Sequence, residues 1–457
     1  MADTEALLAC AVGERHVLSG GEIPGEYAGD ESLAAVRQAP AFLVRPGATG
    51  EVADVVRIAA EARLPVTARG SGTGMSGGCV PRPGGIVVSF ERMNRVLDVD
   101  TVNHVAVVQP GVTLDTLDSE TARHGLCYPV RLGEPTASVG GTIATNAGGM
   151  HAVRYGVTRH HVLGVEAVLA FGATVRDGGK YVKTSTGYDL TQLLTGSEGT
   201  LALVTEATLR LQPRTAHSTS VLAPFTSVDD VFRAVPPLAG GGLQPAALEY
   251  VDLLAMAAIT DDKSLALGIP ESVRQTALGY LLVVLESNSA RRLEEDVEAV
   301  AEQLLDLGAA DVYVLPAGAG RRLVDARERA FWTAKSAGAD DIVDVVVPRG
   351  ELPGLLAEAH AVADATGSLV TGCGHAGDGN VHLSVFQPDP DRRDEVLRRL
   401  FRAGLERGGA VSGEHGIGRA KKAYFRQFEQ PAKVELMRSV KHAFDPQGVL
   451  NPGVLFD

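Results

Sequence analysis

At 457 residues, the chain is long enough for two or three domains, and 42 Lys and Arg against 56 Asp and Glu give a net charge of −14. That acidity argues against broad binding to nucleic acid or to an anionic membrane, while 45% hydrophobic and 21% charged residues are those of an ordinary globular protein and argue against disorder. Cys10, Cys79, Cys127 and Cys373 form neither a CxxC pair nor a regular framework, so they read as reduced thiols of a cytosolic protein.

Residues 1–40 read as a helical lead-in, with Glu5 and Glu14 where a signal peptide would be uncharged. From Ala41, short strands and helices alternate: a strand Phe42–Val44, an amphipathic helix over 51–63 with Val52, Val55, Val56 and Ala59 on one face, and a strand over 65–68. That strand runs into a loop with the spacing Gly72-x-Gly74-x-x-Gly77 and an acid, Glu91, about twenty residues on, which imitates a dinucleotide fingerprint. A true fingerprint opens a helix, whereas residues 77–85 carry four glycines and two prolines and cannot be helical. Nor does a Gly-Lys-Ser or Gly-Lys-Thr follow, so this is no Walker loop. What remains is either a structural glycine loop or a nest of backbone N–H groups, with Arg69 at its entrance, suited to a pyrophosphate.

Strands follow over 86–90 and 105–109, then a helix over 112–124 closed by Gly125. A second run of small residues, 133–149, cannot fill a core by itself and would let another backbone or something large and flat lie against it. After strands over 162–171 and 204–211, a boundary falls at 213–220. Beyond it, strands over 218–222, 278–286 and 312–314 alternate with helices over 228–238, 291–307 and 351–366, the pattern of an antiparallel sheet backed by helices. The most apolar run, 278–285, is too short to span a membrane.

The stretch Gly374-His375-Ala376-Gly377-Asp378-Gly379-Asn380-Val381-His382 forbids a helix and favours a tight turn that brings two histidines together. Alternation in the strand after it puts His382 and Ser384 on one face. A second cluster, Ser412-Gly413-Glu414-His415-Gly416, precedes a final helix over 431–444. Two imidazoles and a carboxylate would give a divalent metal three ligands and leave a position open for substrate. Solvated histidines, a Glu414 salt bridge and a ligand role for His415 are the alternatives.

Arg69-Gly70-Ser71-Gly72-Thr73, the 135–149 stretch, Gly196-Ser197-Glu198-Gly199-Thr200, the two histidine clusters and Asn451-Pro452-Gly453 occur in this order. Together they resemble the FAD-linked D-2-hydroxyacid dehydrogenases of the vanillyl-alcohol-oxidase superfamily, which include D-lactate dehydrogenases and the flavin subunit of glycolate oxidase. The resemblance spans about residues 41–455. It implies an α+β protein: a two-subdomain FAD-binding domain of the vanillyl-alcohol-oxidase (PCMH) type over 1–214, an α+β cap domain with an antiparallel sheet over 215–411, and a segment over 412–457 that returns to the FAD domain. It also implies FAD contacts from Arg69, Gly70, Ser71, Gly72, Thr73, Gly74 and Ser76, from Pro135, Thr136, Ser138, Gly141, Thr142, Thr145, Asn146, Gly148 and Gly149, and from Glu198, Gly199, Val204 and Asn451. Relatives with a histidyl-bound flavin carry a His about where Thr73 stands, and no cysteine occupies the second attachment region, so FAD is expected to be non-covalent.

By the same resemblance His375, His382 and Glu414 are the expected metal ligands, with zinc the first choice and manganese or iron the alternatives, and His415 is the general base. Arg327 is the expected carboxylate-binding residue, with Arg329 competing. Relatives acting on dicarboxylates carry a lysine just before the position of Asp344 and an asparagine at that of Ser384; Ile342, Val343 and Ser384 here favour a monocarboxylate. The expected activity is oxidation of a D-2-hydroxy acid to the 2-keto acid by hydride transfer to flavin, with a quinone, a cytochrome or an electron-transfer flavoprotein as acceptor. No nucleic-acid partner and no transmembrane segment are expected. A cytoplasmic location is expected, and both a homodimer and a peripheral position at the inner face of the membrane are compatible with it. An alkyl-glycerone-phosphate-synthase-like flavoenzyme, a metal hydrolase and a non-catalytic electron-transfer subunit are the other classes; the hydrolase leaves both glycine-rich loops unexplained.

Overall fold

The structure, a computed structural model, describes residues 2–260 and 267–456. Its N-terminal part holds a four-stranded sheet, a five-stranded sheet and a two-stranded ribbon that pairs Leu126–Cys127 with Gln212–Pro213. In the first, Phe42–Val44, Ile86–Ser89 and Val66–Arg69 run parallel, and Val17–Ser19 adds antiparallel to the edge. The helix Thr49–Ala62 buries Val52, Val55, Val56 and Ala59 against that sheet, as its 3.6-residue period dictates, and stops where Arg63 turns left-handed at φ 53°. The second sheet is antiparallel, in the order Val96–Asp100, Val105–Val108, Ala202–Arg210, Val162–Leu169, Thr174–Gly178, over its own core.

Two expectations change here. In residues 1–40 only Ala2–Val12 is α-helical, because Gly20, Gly21, Pro24 and Gly25 break the helix into short 3-10 turns around the strand Val17–Ser19. The 133–149 run contains a helix, Val139–Thr145, which Ser138 caps from below and Asn146 closes at φ 53°. Val139 and Ile143 bury into the core, and Gly140 packs so close to Pro110 that a Cβ would stand 2.7 Å from its ring. The small residues therefore serve close packing as well as an open wall.

The remaining strands form one seven-stranded antiparallel sheet: Tyr313–Val314, His217–Phe225, Gly279–Ser287, Ala247–Asp252, Leu369–His375, Asn380–Phe386, Asp341–Val346. One face carries Val343, Val345, Val381, Leu383 and Val385 into a core shared with the helices Val228–Gly240, Ala290–Asp306, Leu352–Thr366 and Pro390–Glu406. The alternation then sends Ile342, Asp344, His382 and Ser384 to the opposite face, where Leu253–Ile259 and Ala330–Ser336 stand.

The segment after residue 411 is shared between the two parts. Ala410 bridges to Val346 in the cap sheet, and the helix Lys422–Phe428 lays Tyr424 against Phe401 of the cap at 4.9 Å. The same segment also meets the N-terminal part: Ile417 N and Gly418 N donate to Glu198, Pro431–Phe444 places Val440 and Phe444 on the second N-terminal core, and Leu450 pairs with Val66. Among the described residues no helix is long and apolar enough to cross a membrane.

Candidate active site

One continuous cavity runs from the glycine loops to the histidine hairpin. Its first half is walled by Gly70, Ser71, Gly72, Thr73, Gly74 and Ser76, by Ser138, Gly141, Thr142, Thr145 and Gly149, and by Glu198, Gly199, Val204 and Asn451. Gly70 and Ser138 bring the two loops together, and a Cβ on Gly70 would collide with the Ser138 hydroxyl. Gly149, at φ 106°, sits against the Arg131 carbonyl in the same way. Glu198, itself left-handed at φ 52°, accepts hydrogen bonds from Ile417 N at 2.9 Å and Gly418 N at 2.8 Å, and Asn451 Nδ2 donates to the Glu198 and Gly78 carbonyls. A wall of glycine and small side chains suits a large flat cofactor, because backbone can approach it closely.

Five of the expected cofactor residues do not line this cavity: Arg69, Pro135, Thr136, Asn146 and Gly148. Arg69 is not at an entrance. Its guanidinium turns under the loop, donates to the Gly29 carbonyl and lies 5.1 Å from the Tyr27 ring, where a Cβ on Gly72 would strike it. A buried cation needs an acceptor and an aromatic face, and the lead-in supplies both. The Pro135 carbonyl accepts from Asp115 N, the Thr136 carbonyl from Ser71, and the Asn146 side chain from Arg159 N. Gly148 backs Glu414, whose Oε2 would meet a Cβ there at 2.9 Å.

At the far end the hairpin holds His375 and His382 on neighbouring strands, their rings 5.0 Å apart and nearly perpendicular, and His415 stacks on His382 at 4.8 Å. Three imidazoles converge on one carboxylate oxygen: Glu414 Oε1 lies 3.3 Å from His375 Nε2, 3.2 Å from His382 Nε2 and 3.9 Å from His415 Nε2. His375, His382 and Glu414 can each offer one ligand atom to a single ion. Glu414 Oε2 is buried without a hydrogen-bond partner, an expensive state that a bound cation would relieve. The donor set therefore fits a divalent metal.

Two further carboxylates, fully buried, support this cluster. Glu249 meets His375 Nδ1 at 2.9 Å and 3.0 Å through its two oxygens, which turns Nε2 of that ring toward Glu414. Asp344 accepts from Ser412 Oγ, from the N–H groups of Gly413, Glu414 and His415, and from Asn380 Nδ2. Each stands inside a mostly apolar strand, Ala247–Asp252 and Asp341–Val346, whose second acid is at the strand end, and an acid in the strand interior was the available signal for both.

Electrostatics follow from this enclosure. Burial alone would lower His375, but the Glu249 and Glu414 carboxylates outweigh it and hold the imidazole well above its usual value. Burial likewise opposes ionisation of Glu414, and His375 and His382 overcome it, holding the carboxyl well below the usual range. His415 is pushed down to about 4, by burial first.

Of the two candidate arginines, Arg327 is 4% exposed and lines the cavity, whereas Arg329 is exposed at the end of the helix Ala317–Glu328 and does not. Arg327 Nη2 stands 2.8 Å from Glu249 Oε2, yet off hydrogen-bonding alignment, so its Nε and Nη2 lack hydrogen-bond partners. Among the described residues no other Lys or Arg lines the cavity. Around it the wall is Ile342, Ser384, Phe386, Phe331, Leu254 and Ala258.

Comparison with known proteins points to the FAD-linked oxidases. The family profile "FAD binding domain" matches residues 40–178, and "FAD linked oxidases, C-terminal domain" matches 214–455. An uncharacterized FAD-linked oxidoreductase of Mycobacterium tuberculosis is 52% identical over 456 residues, covering 100% of this chain and 99% of that protein. A D-lactate dehydrogenase of Anaerostipes hadrus is 36% identical (97% and 95% covered), and glycolate oxidase subunit GlcD of Bacillus subtilis is 34% identical (91% and 89% covered). Among solved structures, substrate-bound p-cresol methylhydroxylase superposes with a TM-score of 0.83 at 18% identity, covering 100% of this chain and 97% of that one, which places the fold in the PCMH type.

Proposed function

The chain belongs to the FAD-linked oxidase family, and from that premise we propose that this FAD-dependent oxidoreductase oxidises a D-2-hydroxy acid, D-lactate, glycolate or a similar monocarboxylate, to the 2-keto acid with the help of a divalent metal. The observation that carries the reading is one enclosure holding Arg327, with two buried donors that lack a hydrogen-bond acceptor, beside the His375, His382 and Glu414 set. The relatives called D-lactate dehydrogenase and glycolate oxidase subunit support it.

Bound FAD would supply the hydride acceptor, and a metal would supply a Lewis acid that lowers the hydroxyl pKa of a coordinated hydroxy acid. The chain's own residues do the rest. Arg327, ion-paired through Nη2 with Glu249 but with no aligned hydrogen-bond acceptor at Nε or Nη2, offers its guanidinium to the carboxylate, and its charge stays fixed at any working pH. His375, His382 and Glu414 would hold the ion, with Glu249 fixing the ring orientation of His375. His415, on the same side of the cluster, accepts the hydroxyl proton at Nε2. The apolar surroundings of Ile342, Phe386 and Phe331 keep water from these groups and offer no second cation to a dicarboxylate.

The test is anaerobic bleaching of the purified yellow protein by a panel of D- and L-2-hydroxy acids, with zinc, manganese and iron measured in the same sample. D-lactate or a related D-monocarboxylate is expected to bleach the flavin far faster than D-2-hydroxyglutarate. A protein that keeps its flavin and is bleached by none of the panel would overturn the proposal. Acid precipitation is expected to release the FAD into the supernatant.

A further inference from the structure

Asp344 takes no place in the chemistry just described, yet its carboxylate is the most heavily hydrogen-bonded in the site. It is fully buried on the strand Asp341–Val346 and does not line the cavity, so whatever it does, it does through other residues. One oxygen, Oδ2, accepts four hydrogen bonds: Ser412 Oγ at 2.7 Å, Gly413 N at 3.1 Å, Glu414 N at 3.1 Å and His415 N at 2.8 Å. Three consecutive backbone N–H groups aimed at one anion form a nest, and the anion here is a side chain of the protein itself. The other oxygen accepts from Asn380 Nδ2 at 2.8 Å, and Asn380 packs so tightly on Gly413 that a Cβ there would overlap it.

The ring nitrogens fit the same plan. His382 Nδ1 is 3.6 Å and His415 Nδ1 3.8 Å from the carboxylate, beyond hydrogen-bonding distance, and both are buried without a hydrogen-bond partner. Their Nε2 atoms face Glu414 Oε1. Lys421, 5% exposed and without a hydrogen-bond partner, sets its ammonium 3.6 Å from Oδ2 and offsets the buried charge. Asp344, His382 and His415 could by spacing hold an ion of their own, but Oδ2 already carries four donors and a neighbouring ammonium.

We propose that Asp344 is the positioning residue of the active centre: by capturing the 412–415 turn on one carboxylate oxygen it fixes where the ligand Glu414 and the base His415 leave the backbone. This rests on reading His375, His382 and Glu414 as metal ligands and His415 as the base. Because the turn is anchored to the cap sheet while Glu198 grips Ile417 N and Gly418 N just beyond it, ligand and base sit at the seam between the two halves of the cavity.

The experiment compares full-length holoenzyme with Asp344→Asn and Ser412→Ala. Asp344→Asn keeps the shape but replaces the anion in the nest by a neutral amide, and Ser412→Ala removes one donor of four. Zinc dissociation constants are measured by chelator competition, FAD content by absorbance, kcat and KM with the acid that bleaches wild type best, and amide hydrogen exchange over residues 411–417. For Asp344→Asn the expected result is full FAD content, zinc bound about 10- to 100-fold more weakly, kcat lower by about 100-fold with KM little changed, and fast exchange across the turn. Ser412→Ala should move every readout the same way by less. Wild-type zinc affinity and kcat in Asp344→Asn would overturn this proposal alone, as would loss of FAD and of thermal stability in step with the loss of activity. Uptake of two zinc ions by wild type and one by Asp344→Asn would make Asp344 a ligand and also overturn it. A wild-type protein that holds no zinc, manganese or iron and takes up none of them removes the metal reading and this proposal together.

Discussion

The two halves of the cavity are built by opposite means. On the side of the glycine loops the chain withholds side chains: Gly70, Gly72, Gly141 and Gly149 let backbone form the wall, and Gly72 and Gly149 adopt positive φ that other residues reach at a cost. On the side of the cap sheet it does the reverse, packing His375, His382, Glu414, His415, Glu249, Asp344 and Arg327 into one buried cluster. A wall of backbone fails when anything is added to it. A cluster of buried charges fails when anything is taken away, because each charge left behind loses the partner that made its burial tolerable. Damage to either half should therefore leave the other standing, and that separation is what mutation can break or sharpen.

The largest effect is expected from the charge cluster. Replacing His375 or His382 by Ala should lower turnover by more than about 1,000-fold, with zinc lost and FAD retained, as read by steady-state rates, metal analysis and the flavin spectrum. Loss of the flavin along with the metal would show that the halves are not independent. Next comes Arg327→Met, which removes the carboxylate clamp and leaves Glu249 without its cation; kcat/KM should fall by about 100- to 1,000-fold, chiefly through KM. Arg329→Met, exposed and outside the cavity, should leave kcat/KM within about twofold, which tests the choice between the two arginines.

On the backbone side, Gly70→Ala forces a methyl group into the Ser138 hydroxyl. FAD should be retained about 10-fold less well through gel filtration, while zinc content stays at the wild-type level. The smallest effect concerns stability. His161 is 3% exposed beneath the second N-terminal sheet, with Nε2 2.9 Å from the Tyr155 carbonyl, and burial pushes it down to about 4. Between that value and the unfolded value of 6.5 the unfolded chain binds more protons, so the stabilisation is complete above pH 6.5 and is lost as pH falls toward 4. By pH 5 the loss should be about 2 kcal/mol in denaturant titrations, and His161→Asn should abolish that slope.

Much of this was legible from local pattern. Two glycines between two histidines, one of them in an Asp-Gly pair, can hardly do other than turn, and the hairpin Leu369–His375 to Asn380–Phe386 sets His382 and Ser384 on one face as the alternation requires. The glycine loop after Val66–Arg69 could be refused as a Rossmann fingerprint because no helix could follow it, and none does. The helix Val139–Thr145 escaped notice because its glycines and threonines form poor helix in isolation; Ser138 at its start and the close fit against Pro110 make it helical. Arg69 was misplaced for a similar reason, since nothing in the loop itself says that Tyr27 and Gly29 will be there to receive the guanidinium.

What the sequence determined by itself, then, is whatever depends on neighbours along the chain: turns, amphipathic faces, and the residue types able to bind metal and approach a flat cofactor. What only the tertiary structure decided is which charges are buried together. Glu249 and Asp344 read in sequence as acids inside mostly apolar strands, and Arg327 and Arg329 differ there by two positions. Only the packing of Ala317–Glu328 and of the 412–415 turn against the cap sheet turns Arg327 inward, leaves Arg329 outside, and gives each acid its partners. The reason is that the cost of burying a charge is set by the groups that surround it in space, and those come from segments far apart in the chain.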